Sequence, residues 1–148
     1  MATFDSLYRL DRTTGAATRR VRSGRVDRGP FAWDGTNLYM VGSTNDALYR
    51  IDRTNWGLTR IGSAARFGAN EAPGGLAWDG ASLYMTGSTN DALYTLDRTT
   101  GAATRVDADI VRYGVDEDAT QHLAWDGTSL YMISRETKTI YRINRARG

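Results

Sequence analysis

Arg66-Phe67-Gly68 is followed by Glu71, and Arg112-Tyr113-Gly114 is followed by Glu117. An arginine beside an aromatic ring, with a carboxylate a few residues on, can hold a polar ring or an anion by stacking and forked hydrogen bonds. The same groups can also pair with one another and anchor a loop to its scaffold. Arg25-Val26-Asp27 is a shorter version of the pattern. Ser43-Thr44-Asn45-Asp46 and Ser88-Thr89-Asn90-Asp91 add hydroxyls, amides and carboxylates, the groups that hydrogen-bond sugar hydroxyls and equally the groups that form turns. The candidate ligand-binding set is therefore Arg66, Phe67, Glu71, Arg112, Tyr113 and Glu117, with Asn45, Asp46, Asn90 and Asp91. A third copy of the polar stretch has diverged to Ser134-Arg135-Glu136-Thr137, so the sites are not expected to be equal.

Catalytic chemistry is thinly represented. His122 is the only histidine and cannot build a multi-histidine metal site alone, and there is no cysteine to act as nucleophile or thiolate ligand. Asp116-Glu117-Asp118 is acidic but lacks the spaced pattern of a calcium loop. No serine elbow, phosphate-binding loop or dinucleotide fingerprint occurs. The expectation is a protein that is not an enzyme, with no catalytic residues, no metal and no cofactor.

Something must position the candidate loops, and the chain repeats itself. Phe31-Ala-Trp-Asp-Gly35, Leu76-Ala-Trp-Asp-Gly80 and Leu123-Ala-Trp-Asp-Gly127 begin 45 and 47 residues apart, and each is followed by Leu-Tyr-Met. A second phrase recurs as Leu7-Tyr-Arg-Leu-Asp-Arg12, Leu48-Tyr-Arg-Ile-Asp-Arg53, Leu93-Tyr-Thr-Leu-Asp-Arg98 and Ile140-Tyr-Arg-Ile-Asn-Arg145. Short elements at Ala17–Val21, Leu58–Ile61 and Ala103–Val106 follow three of these. Each period reads as four short strands, A to D, rich in aromatic and β-branched residues and bounded by Gly, Asn, Asp or Ser. The A–B joint is Asp-Gly, whose glycine accepts the positive φ of a tight turn, and the C–D joint opens on an aspartate able to cap it. "GSTNDALY", unchanged at Gly42–Tyr49 and Gly87–Tyr94, is what recent duplication or design from one blade would leave. Trp33, Trp78 and Trp125 share one repeat position, which points to the packing between repeats.

Four meandering strands per period of about 45 residues are the mark of a β-propeller blade. From Leu7 to Arg145 the chain resembles bacterial β-propellers of the NHL and quinoprotein-like kind, whose blades carry "GLAWDG…LY…LYRID…TG" phrases. The Trp-Asp pair lies on strand A, unlike the WD40 pattern. The predicted fold is all-β: one repeat domain over 1–148, with a partial blade at 1–28, blades at 29–62 and 74–107, and a partial blade at 121–145. Three blades are too few for a ring, since propellers have about four to eight. A homodimer closing a six-bladed ring is the expectation, with a terminal strand completing the split blade; which of the duplicated C elements, Leu7–Leu10 or Ile140–Ile143, does so stays open.

The long, varied D–A connections, Arg22–Gly29, Ser63–Gly74 and Asp107–Gln121, share one face with the B–C loops and make that face the binding candidate. Charge bounds the partners. Net charge is +2, Lys138 is the only lysine, and the arginines alternate with aspartates as in Asp11-Arg12, Asp52-Arg53 and Asp97-Arg98. That describes a mixed solvated surface and not a nucleic-acid groove. No apolar run approaches the ~20 residues of a membrane helix, and MATFDSLYRLDR has no signal-peptide core, so a soluble chain of unassigned compartment is expected. The function expected is a binding or scaffold module for a glycan or protein, with a purely structural propeller fragment as the alternative and a hydrolase or lyase behind both.

Overall fold

The strands form where aromatic and branched residues alternate between two faces, and in the middle sheet burial covers both faces. In the computed structural model, which describes residues 5–23, 29–42, 46–62, 73–87, 89, 92–106, 120–134 and 138–143, the described residues hold thirteen strands and no helix. They are β1 (Asp5–Leu10), β2 (Ala17–Ser23), β3 (Phe31–Trp33), β4 (Leu38–Gly42), β5 (Ala47–Ile51), β6 (Leu58–Arg60) and β7 (Pro73–Trp78). After these come β8 (Leu83–Gly87), β9 (Ala92–Leu96), β10 (Ala103–Arg105), β11 (Thr120–Trp125), β12 (Leu130–Ser134) and β13 (Ile140–Ile143). Every residue of β8 is buried, against the one-sided burial of a sheet with a wet face.

Each sheet is an antiparallel meander in chain order: β1–β2, β3–β4–β5–β6, β7–β8–β9–β10 and β11–β12–β13. The register repeats from sheet to sheet. Met40 pairs with Tyr49, Met85 with Tyr94 and Met132 with Tyr141, so equivalent residues occupy equivalent places. First strands are neighbours in space, with β7 touching both β3 and β11.

Apolar residues fill the spaces between sheets. Ala32, Tyr39, Val41 and Leu48 of one sheet share a cluster with Leu76, Leu83, Met85, Tyr94 and Leu96 of the next. The opposite face of that second sheet, through Ala77, Tyr84 and Leu93, packs on Leu130, Met132 and Ile143. The β1–β2 hairpin takes the remaining side of the first full sheet, where Leu7 packs against Met40, Ala47, Tyr49 and Ile51.

Two positions explain how closely the sheets approach. A Cβ on Gly75 would lie 2.6 Å from the Leu123 backbone nitrogen, so the absent side chain lets β7 and β11 come together. Its N–H donates to the buried Thr86 hydroxyl at 2.8 Å. In the C–D turns, Gly15 and Gly101 have φ of 72° and 73°, and the matching residue of the middle turn is Trp56 at φ 63°. A left-handed tryptophan costs roughly 1–2 kcal/mol that glycine avoids. It gains contact with the hairpin: Trp56 packs on the Met40–Ile51 cluster, and the Arg20 guanidinium lies 5.8 Å from its ring centroid.

Candidate functional site

The meander puts the A–B and C–D turns at one end of the sheets and the B–C turns at the other. Six aspartates at the first end do the same work. Oδ1 of Asp11, Asp34, Asp52, Asp79, Asp97 and Asp126 each accepts the backbone N–H groups two and three residues ahead. Amide donation stabilises the ionised carboxyl, and it holds Asp11, Asp52, Asp97 and Asp126 below the usual aspartate value.

One of these turns is tied to the neighbouring sheet. Arg98, in the turn after β9, donates from a guanidinium nitrogen to Asp34 Oδ2 at 2.7 Å, across to the turn after β3. The same guanidinium lies 4.3 Å from the Trp78 ring centroid. Burial on its own would raise the Asp34 pKa; the Asn37 and Thr36 amides and the hydrogen bond from Arg98 outweigh it and bring the carboxyl down to about 2. Tyr39, buried beside them, is pushed above its usual value by burial and then by the Asp34 charge. Arg53 stacks on Trp33 in the same way, 4.7 Å from the ring centroid.

These arginines are not simply solvated, and the tryptophans are not all core. Trp78 packs at the edge of the cluster between the first two full sheets, whereas Trp33 remains 42% exposed beneath Arg53. A signal was present in the sequence: Arg53 follows Trp33 by 20 residues, and Arg98 follows Trp78 by 20.

At the opposite end, Asp46 is the one described member of the candidate ligand-binding set. It stands at φ 43° immediately before β5, half-buried. Arg66, Phe67, Glu71, Arg112, Tyr113, Glu117, Asn45, Asn90 and Asp91 lie outside the described residues, as does Asp116–Asp118. His122 is exposed on β11. Among the described residues no three His, Cys, Asp or Glu side chains group as metal ligands.

No protein-family model matches the chain, and no curated protein matches it in sequence. Solved structures do match in shape. Virginiamycin B lyase from Staphylococcus aureus superposes with a TM-score of 0.60 at 11% identity, over 97% of this chain and 50% of that one. The fold is β-propeller-like. A protein of unknown function from Bacteroides thetaiotaomicron superposes with a TM-score of 0.57 at 17% identity, over 88% of this chain and 34% of that one. The chain thus spans half or less of the length of either propeller-like neighbour. At such identities the likeness carries the fold and says nothing of activity. No helix among the described residues is long and apolar enough to cross a membrane.

Proposed function

We propose that the chain is a non-enzymatic binding or scaffold module built from propeller blades, completed as a six-bladed ring by a second copy, with its B–C and D–A loops as the ligand face. The observation that supports it most is the division of labour between the two ends. At the turn end, Oδ1 of six aspartates is occupied by the chain's own amides, and Arg98 by Trp78 and Asp34. Groups already committed to holding turns and joints are poorly available to a ligand. The opposite end carries the long connections, where loops on a rigid scaffold usually do the binding. A glycan or a protein is the ligand class that suits their hydroxyls, amides and arginines.

A glycan array probed with the labelled chain tests this reading, together with cross-linked pull-downs. Binding should fall at least tenfold in an Arg66→Ala/Arg112→Ala variant and stay unchanged in Arg12→Ala, at the turn end. An empty array with empty pull-downs favours the purely structural alternative, whereas binding insensitive to both arginines puts the site away from the Arg66 and Arg112 loops.

A further inference from the structure

The interior joints between sheets have a fixed composition, and each end of the molecule presents one half of such a joint. On β12 and β13, Ile133 pairs with Ile140 in the register that joins Val41 to Leu48 and Thr86 to Leu93. Those four interior residues are 0% exposed, while Ile133 is 39% and Ile140 69% exposed. Ala124, the equivalent of the buried Ala32 and Ala77, is exposed beside them. The outward face of the last sheet is therefore a joint surface without its mate.

The complementary surface lies at the other end. Phe31 and Trp33 are exposed, whereas the equivalent Leu76 is buried and Trp78 packs against the joint cluster. Lower on the same face, the hairpin already supplies the outer strands of a preceding sheet. Leu7 packs there on Met40, Tyr49 and Ile51, as Leu48 packs in the interior joint. What is missing over Phe31 and Trp33 is a first and second strand, and β11–β12 presents a pair of that kind.

Charge agrees with shape. Arg53 is stacked on Trp33 as Arg98 is on Trp78, but among the described residues no carboxylate completes its bridge. Asp126 accepts the Thr128 and Ser129 amides, the arrangement Asp34 has with Thr36 and Asn37, without the arginine.

We propose that these two surfaces dock on one another between two copies of the chain, with Arg53 of each copy bridging to Asp126 of the other. The inference rests on the two-copy reading above and adds its geometry: a head-to-tail joint made twice, closing after two copies. β1 and β13 hold the same position in the repeat, so in the closed joint one of them flanks β12 and the other is displaced.

Charge reversal tests the geometry, read by sedimentation of the 148-residue chain, with circular dichroism confirming that each variant is folded. Arg53→Asp alone and Asp126→Arg alone should each weaken self-association at least tenfold, because each places like charges in both joints. Mixing the two variants should restore it, since the mixed pair has one native and one reversed bridge. Ile140→Glu should weaken association by a similar factor without the mixing rescue. Association that ignores all three variants overturns this geometry and leaves the two-copy reading standing. A folded wild-type monomer overturns both.

Discussion

Arg98 and Asp34, 64 residues apart in sequence, meet at 2.7 Å across the space between two sheets, and the Asp34 side chain there is only 3% exposed. The pair does for the polar rim what Leu48 and Leu93 do for the interior: it fixes one sheet against the next.

Stability should therefore depend on acid in a defined window. The folded-state pKa of Asp34 is about 2 against an ordinary 3.8, so its contribution is present above about pH 4 and is lost as pH falls through 2. The shift corresponds to about 2 kcal/mol. Urea denaturation of wild type between pH 5 and pH 2 should show that loss, and Asp34→Asn should remove the part Asp34 supplies while leaving that of Asp11, Asp52, Asp97 and Asp126. Arg98→Ala should cost about 1–2 kcal/mol at pH 7, since half of the pair is open to water.

Thr86 is the buried polar side chain of the joint face of β8, and its hydroxyl accepts the Gly75 N–H. Thr86→Val keeps the volume and removes that acceptor, at an expected cost of about 1–3 kcal/mol. Gly75→Ala should cost a similar amount by forcing β7 away from Leu123. Thermal denaturation of the two variants checks both values.

Trp56→Gly separates a local clamp from global stability. Relief of the left-handed conformation offsets the lost packing, so the unfolding midpoint should move little. Hydrogen exchange in β1 and β2 should nevertheless quicken by tenfold or more, because Arg20 loses the ring it rests on and the cluster under Leu7 loses a wall. Unchanged protection of the hairpin would show that Trp56 is not its clamp.

Much of the architecture was legible because the same phrases recur at the same positions in every sheet. The Leu-Tyr-Met and Leu-Tyr-Arg-Ile pieces became paired strands, and the Asp-Gly joints became turns with Gly35, Gly80 and Gly127 at φ between 94° and 101°. The Arg98–Asp34 bridge was not legible from composition, since alternating Asp and Arg also describes a solvated surface. Only the stacking of one sheet on another brings residues of different repeats together. Trp56 was visible as a departure from the glycine of the other two C–D turns, yet its partner Arg20 belongs to a hairpin whose docking no local pattern specifies. Of the proposed ligand-binding residues, the described structure reaches Asp46 alone.

In the proposed ring, the face with Ile133 and Ile140 at one end of each chain meets the face with Phe31 and Trp33 at the other end of its mate. Sedimentation equilibrium of the wild-type chain measures the consequence most directly. The expected result is a particle of two chains, about twice 16.3 kDa, that dissociates on Arg53→Asp substitution. A folded, stable species of 16.3 kDa at all concentrations would contradict it.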